Sequence, residues 1–239
     1  MSTFIDQYHS QKDGAICFSR EQGSRFAKQV ADDFNPLHDT DNKLFCIPGD
    51  LLFSMALTMY GLSKKMRFTF TGMVGAETPL IFPDDQAESL AIVDADNKQY
   101  LTIERSGQAI HEPELIEKFA RSYVAFSGHN FPDLLIPLMT EKQVMINPTR
   151  PIAIYDSMAI ELNDIDQLTA PRLEYTRGSL EVNGKKGDVR LEFSIKSADL
   201  IVGQGTKYMS LRGLKPFDQK QIDQLVANYN SHKAEYTSR

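Results

Sequence analysis

The stretch that decides the fold is 33-DFNPLHDTDNKLFCIPGDLLFSMALTMY-60. In its second half, a helix starting at Pro48 and Gly49 would carry apolar side chains on most of its circumference, at Leu51, Leu52, Met55, Ala56, Met59 and Tyr60. A helix that is apolar nearly all round lies in the protein interior. The sequence therefore predicts a buried helix that other elements cover on most sides.

The first half of the stretch, DFNPLH, is either a turn or a place where chemistry occurs. Asp33 and His38 are of the two residue types most often used to move protons near neutral pH. Pro36 excludes one continuous helix through both of them, so they flank the end of the helical segment that precedes them. Asp33 and Asn35 are also common helix-capping and turn residues, and the pair alone leaves both interpretations open.

The rest of the chain shows a repeated order of elements. A strand at 14–19 and a helix starting at residue 20 precede the buried helix, and strands follow it at 67–74, 79–83 and 89–105, the last a hairpin that turns at 94–98. Helices are then predicted at 112–128 and 133–139, and strands at 151–162, 171–182, 188–196 and 200–211, with Asn183-Gly184 as a hairpin turn. An amphipathic helix is predicted at 217–236. This order predicts two similar halves, residues 1–110 and 111–239.

Composition excludes several classes of function. The chain has 239 residues, of which 41% are hydrophobic, and a formal charge of −6 without a basic block. No nucleic-acid or anionic-membrane partner is therefore expected. The two cysteines and five histidines are dispersed, which predicts no metal site. The N-terminus lacks the apolar core of a secretory signal and no apolar run is long enough to span a bilayer, so we expect a soluble cytoplasmic protein.

The motif Asp-x-Asn-Pro-Leu-His resembles the signature of the MaoC-like dehydratases, also called R-specific enoyl-thioester hydratases. That signature has an aromatic-Ala pair before the motif and a Gly and a Ser after it, which here are Phe26-Ala27, Gly49 and Ser54. The resemblance covers roughly residues 15–62. It implies an α+β fold of the hotdog type. With the repeated order, we expect a tandem hotdog in which each half is a curved antiparallel sheet around a buried helix.

The resemblance also implies an activity, the hydration of a 2-enoyl thioester or the reverse dehydration. Its substrate would be an acyl thioester of coenzyme A or of acyl carrier protein, without a metal or other cofactor. The protein would be a monomer that acts as a pseudo-dimer, or a homodimer. The implied catalytic residues are Asp33 and His38 as an acid/base pair and Gly49 as an oxyanion donor, and the implied substrate-binding residues are Asn35, Asp50 and Ser54.

Two departures from the family pattern leave other functions open. Position 50, where the family has an apolar residue, is an Asp whose carboxylate would compete for the helix N–H groups and oppose negative charge on a substrate. In the second half, His129 stands where the motif Asp would fall, so we expect that half to be chemically silent. The alternatives are a non-catalytic acyl-thioester or lipid-binding module and a thioesterase.

Overall fold

A seven-stranded antiparallel sheet runs through the centre of the molecule in the order β4-β5-β3-β7-β10-β9-β8. The structure, a computed structural model, describes residues 3–84 and 87–238. The strands are β1 (Ser10–Lys12), β2 (Ala15–Cys17), β3 (Leu62–Phe70), β4 (Ser89–Val93), β5 (Gln99–Ile110), β6 (Val144–Met145), β7 (Ile152–Leu162), β8 (Pro171–Asn183), β9 (Lys186–Ser197), β10 (Leu200–Arg212) and β11 (Lys215–Pro216). Strands β1–β2 and β6–β11 form two small separate sheets.

Five α-helices accompany the sheet: α1 (Arg20–Gln29), α2 (Gly49–Tyr60), α3 (Pro113–Gly128), α4 (Leu135–Glu141) and α5 (Gln219–Thr237). The predicted α+β class, with a large antiparallel sheet, is thus confirmed. Strands from before residue 110 join those from after it through the pairing of β3 with β7, from Lys65 opposite Glu161 to Thr69 opposite Ser157.

Most predicted elements lie where the sequence places them, including the hairpins β4–β5 and β8–β9. The strand predicted at 67–74 instead spans Leu62–Phe70. The reason is Gly61, which ends α2 at a positive φ of 79° and turns the chain straight into β3. The strand predicted at 79–83 is reduced to two isolated bridges, at Leu80 and Ile81.

Helix α2 is enclosed, as its apolar circumference predicts. Its residues Leu51, Leu52, Phe53, Ala56 and Leu57 are all buried. The Phe53 ring packs on Phe68 of β3 on one side, with 5.0 Å between centroids, and on Tyr123 of α3 on the other, at 4.5 Å. Helix α2 is therefore held between the sheet and α3.

A second apolar cluster covers the other end of the sheet. Leu135, Leu138 and Met139 of α4 pack there with residues of β8, β9 and β10 such as Leu180 and Leu191. Helix α5 adds the buried Ile222 and the partly buried Phe217, Leu225 and Val226, as its amphipathic pattern predicts. None of the helices in the described part of the chain is both long and apolar enough to cross a membrane.

The end of α3 touches the main chain beside the motif. A Cβ atom added to Gly128 would lie 1.6 Å from the carbonyl oxygen of Ala31 and 3.3 Å from the nitrogen of Asp33. Such an overlap with backbone atoms cannot be relieved by a side-chain rotation. Gly128 therefore sets how closely α3 approaches the turn that carries Asp33.

We predict that Gly128→Ala destabilises the protein by at least about 2 kcal/mol, because α3 and the turn must separate. For a chain of this size that loss lowers Tm by at least roughly 4 °C. Thermal unfolding followed by circular dichroism measures it. Gly75→Ala is the matched control, since its added methyl group meets only Thr78 Oγ1, at 3.6 Å. Equal Tm values for the two variants would contradict the close approach.

Candidate active site

A cavity of about 630 Å³ opens beside the start of α2. Its wall is built from the turn at 33–38, the loop at 70–74, the ends of α2 and α3, strands β7 and β10, and helix α5. This volume lies in the range of small-molecule binding sites, roughly 300 to 1,000 Å³. Five of the six predicted site residues line it: Asp33, Asn35, His38, Gly49 and Asp50.

The DFNPLH motif forms two consecutive side-chain turns. The Asn35 N–H donates to Asp33 Oδ1 at 2.9 Å, and the Leu37 N–H donates to Asn35 Oδ1 at 3.1 Å. Pro36 begins a short 3₁₀ helix, Pro36–His38, where its fixed φ is tolerated and no donor is lost. Asp33 and Asn35 therefore do act as turn residues. The same hydrogen bonds fix the Asp33 carboxylate so that its second oxygen, Oδ2, faces His38.

His38 is buried, with 8% of its surface exposed, and its ring is held from behind. Nδ1 lies 2.9 Å from the carbonyl oxygen of Cys46, and because a carbonyl only accepts, Nδ1 carries a proton. Nε2 faces Asp33 Oδ2 at 3.7 Å. This distance is too long for a direct hydrogen bond. It is short enough for both groups to form hydrogen bonds to one atom placed beside them.

The protonation of His38 follows from these neighbours. Burial acts to lower its pKa, but the hydrogen bond to Cys46 and the Asp33 carboxylate together outweigh burial and raise the pKa to about 9. At neutral pH the ring is therefore an imidazolium ion. It can give a proton from Nε2 while Nδ1 remains bonded to Cys46.

The first turn of α2 presents main-chain donors to the cavity. Leu51 and Leu52 N–H groups donate to the Pro48 carbonyl, whereas the N–H groups of Gly49 and Asp50 donate to no acceptor among the described residues. A Cβ atom added to Gly49 would lie 3.0 Å from the Tyr155 ring. Glycine thus lets the rings of Tyr155 and Phe70 pack closely against the start of α2, and a larger residue would displace them by a few tenths of an ångström.

Asp50 does not compete for these N–H groups, contrary to the expectation for an acid in the first turn. Its Oδ2 accepts a hydrogen bond of 2.6 Å from Ser127 Oγ, at the end of α3. Ser127 Oγ in turn accepts from Lys207 Nζ of β10. Asp50 Oδ2 is therefore engaged by Ser127, and Oδ1 has no hydrogen-bond partner among the described residues, so the carboxylate leaves the main-chain donors of α2 free.

Burial is the largest influence on the pKa values of Asp50 and Lys207. Asp50, Ser127 and Lys207 are 6%, 5% and 3% exposed. Burial raises the pKa of Asp50, although Lys207 and Ser127 act to lower it. Burial likewise lowers the pKa of Lys207, opposed by Asp50. The two groups are thus brought closer in proton affinity than they are in water.

Tyr155 of β7 connects the trio to α2. The ammonium group of Lys207 lies 4.2 Å from the centroid of the Tyr155 ring, a cation–π contact. The Tyr155 hydroxyl contacts that of Tyr123, and burial raises the pKa of both phenols well above the usual value. Both tyrosines therefore stay neutral; Tyr155 lines the cavity, and Tyr123 packs behind it.

Helix α5 closes the outer side of the cavity with Leu225, Asn228, Tyr229 and His232. Lys233 forms an ion pair with Asp32. The rings of Tyr229, His232 and Tyr236 surround Phe34, with centroids 5.7 to 6.0 Å away. Helix α5 is thus anchored on both sides of Asp33.

Two residues singled out from the sequence, Ser54 and His129, lie outside the cavity wall. Ser54 is fully buried and donates to the Asp50 carbonyl at 2.8 Å, a bond within α2. His129 Nε2 lies 3.2 Å from Asp32 Oδ2 and its side chain is half exposed. Within residues 3–84 and 87–238, no group of His, Cys, Asp or Glu side chains is arranged to hold a metal ion.

Comparison with known families gives one match, which covers residues 3–220. Its description is "Protein of unknown function (DUF3581)". The chain belongs to this family. The match ends at the start of α5, so most of this helix in the DUF3581 protein lies beyond the matched region. No curated protein matches the sequence.

Several solved structures resemble the DUF3581 protein at low identity. A protein of unknown function with a hot dog fold from Alicyclobacillus acidocaldarius is 8% identical, with 91% of this chain and 100% of that chain covered and a TM-score of 0.45. The acyl-CoA thioesterase II TesB2 from Mycobacterium marinum is 8% identical, with 87% and 98% covered and a TM-score of 0.41. A MaoC-like dehydratase is 10% identical, with 86% and 98% covered and a TM-score of 0.41. Similarity at this level carries no argument about activity.

Ser127, Lys207 and Tyr155 are among the cavity residues that sequence reasoning missed. One signal for Lys207 is present: it falls in step with the apolar Met209 and Leu211 along β10, on the buried face of an alternating strand. A lysine at such a position indicates a buried partner. Ser127 has no comparable signal, because a serine near a helix end is ordinary.

We predict that stability depends on pH through His38. A histidine whose folded pKa is raised stabilises the fold fully below its unfolded pKa of about 6.5. That contribution, about 3 kcal/mol, disappears as the pH rises through about 9. The stability difference between wild type and His38→Gln, from urea unfolding, should therefore shrink between pH 6 and pH 10. His9→Gln, outside the cavity, serves as the control, and a pH-independent difference for His38→Gln would refute the assignment.

Proposed function

We propose that this protein hydrates a 2-enoyl thioester, or dehydrates the corresponding 3-hydroxyacyl thioester, with Asp33 and His38 as the acid/base pair. The observation that carries the proposal is the placement of Asp33 Oδ2 and His38 Nε2, 3.7 Å apart, in one cavity with the free N–H groups of α2. Had the motif been only a turn, nothing would require both groups to face the same space.

The geometry suits one water molecule. An oxygen atom can lie roughly 2.8 Å from both Asp33 Oδ2 and His38 Nε2 at once. The substrate carbonyl oxygen would point at the N–H groups of Gly49 and Asp50, at the positive end of the helix dipole. Donors placed where negative charge develops contribute roughly 3 to 4 kcal/mol each to such reactions.

The proton transfers balance with these two residues alone. Asp33 takes a proton from water as the water oxygen bonds to C3, and the electron pair of the double bond moves toward the thioester oxygen. The resulting enolate is held by the α2 donors and takes a proton at C2 from the His38 imidazolium. Asp33 then returns its proton to the neutral His38 ring, which restores the starting state.

The tandem arrangement belongs to the same proposal. We interpret residues 1–110 and 111–239 as two hotdog halves whose sheets join at β3 and β7, with α2 and α4 as the helices of each half. The second half would then contribute wall residues rather than a second motif. The substrate would be linked to coenzyme A or to acyl carrier protein.

We expect Asp33→Asn and His38→Ala each to lower hydration roughly 10²- to 10⁴-fold, the usual contribution of a positioned acid or base. The double variant should be little worse than either single one, because the two residues act as a unit. Loss of the conjugated double bond of 2-enoyl-CoA substrates of several chain lengths measures the rate. His9→Gln is the control. Wild-type turnover in either folded single variant would reject the mechanism and favour a binding module.

A further inference from the structure

A second polar centre lies in the cavity wall, formed by Asp50 of α2, Ser127 of α3 and Lys207 of β10; we call these three residues the serine centre. Ser127 Oγ donates to Asp50 Oδ2 at 2.6 Å and accepts from Lys207 Nζ. All three side chains are more than nine-tenths buried and line the cavity. A hydroxyl group is thus held between a carboxylate and an ammonium ion, the arrangement that activates a serine.

A contribution to the stability of the fold does not by itself explain why these three polar residues are buried together. The desolvation cost of a buried ion pair largely cancels its attraction, so apolar residues of similar volume hold a core together equally well. The three residues come from three different elements and meet at the wall of a cavity. Buried groups with shifted proton affinities in such a place are typical of functional sites.

The charge balance of the serine centre also points to chemistry with a neutral reacting group. Lys207 compensates Asp50, so the centre carries no net charge to attract an ionic ligand. Asp50 belongs to both groups: its side chain accepts from Ser127, and its main-chain N–H is one of the two free donors suited to a carbonyl oxygen. A thioester carbonyl meets both requirements.

We propose that Ser127 is a nucleophile that takes the acyl group of a thioester, with Asp50 as its base and Lys207 as its acid, so that the protein cleaves acyl thioesters. This activity shares its substrate class with the proposed hydration. It needs neither a double bond in the acyl chain nor the Asp33–His38 pair.

The first half of the reaction forms an ester on Ser127. Oγ attacks the thioester carbonyl carbon while its proton passes to Asp50 Oδ2, and the oxyanion faces the N–H groups at the start of α2. The C–S bond then breaks, and the leaving thiolate takes a proton from Lys207. The products are acyl-Ser127, a free thiol, a neutral carboxyl group at Asp50 and a neutral amine at Lys207.

The second half restores the centre. The Lys207 amine takes a proton from a water molecule, whose oxygen attacks the ester carbonyl. The bond from carbon to Oγ breaks, Oγ recovers its proton from Asp50, and the free carboxylic acid leaves. Burial raises the pKa of Asp50 and lowers that of Lys207. Both effects favour the neutral carboxyl group and neutral amine that exist between the two steps of the reaction.

The test uses saturated acyl-CoA thioesters with chains of about 4 to 16 carbons, which have no double bond to hydrate, so its outcome is independent of the hydration assay. We expect wild type to release free thiol and a fluorophosphonate probe to label Ser127, located by peptide mass spectrometry. Ser127→Ala should lose the label and lower thiol release at least roughly 10³-fold. Asp50→Asn should lower thiol release roughly 10²-fold.

Ser63→Ala is the matched control, since Ser63 is a buried serine of β3 outside the cavity wall; it should keep both label and thiol release. If Ser127→Ala does not fold, Ser127→Cys replaces it and should carry the acyl group at residue 127 as a thioester. Absence of label on Ser127 in wild type, or undiminished thiol release by folded Ser127→Ala, would overturn the proposal and leave the serine centre as a bridged ion pair.

Discussion

Helix α2 is apolar on almost every side, and the need to cover it organises the molecule. The sheet packs against one side of the helix through Phe68, and helix α3 packs against the other side through Tyr123. The first turn of this enclosed helix keeps N–H groups without acceptors among the described residues, and the residues that carry them, Gly49 and Asp50, line the cavity. The packing that buries helix α2 therefore also forms the wall of the cavity.

The same enclosure brings two polar centres to one cavity. The turn at 33–38 ends on Asp33 and His38, and α3 ends on Ser127 and Gly128, whose Cα lies against the Ala31 carbonyl. Because Gly128 fixes α3 against the turn, the two centres keep a fixed relation. Asp50, which as a lone acid would have occupied the helix donors, is held by Ser127 instead.

Local patterns predicted the fold well and the site in part. The apolar circumference of α2 and the hairpin turns follow from spacing along the chain, whereas Asp33, Asn35 and His38 are singled out by the resemblance of their motif to a family signature. Lys207 and Ser127 are 80 residues apart, and their contact depends on how β10 and α3 pack, which no short stretch encodes. The side-chain partner of Asp50 was not predictable for the same reason, since Ser127 comes from a distant segment.

Helix α5 gives the cavity an outer wall of a different kind from the rest. The inner walls are main chain and core side chains of α2, α3 and the sheet, which tolerate little change in volume. The outer wall is one face of a surface helix whose only fully buried residue among those described is Ile222. Substitutions at the exposed Asn228 can therefore alter the polarity of this wall at little cost to folding. In this architecture the outer wall of the cavity can change in sequence without disturbing the two polar centres of the inner walls.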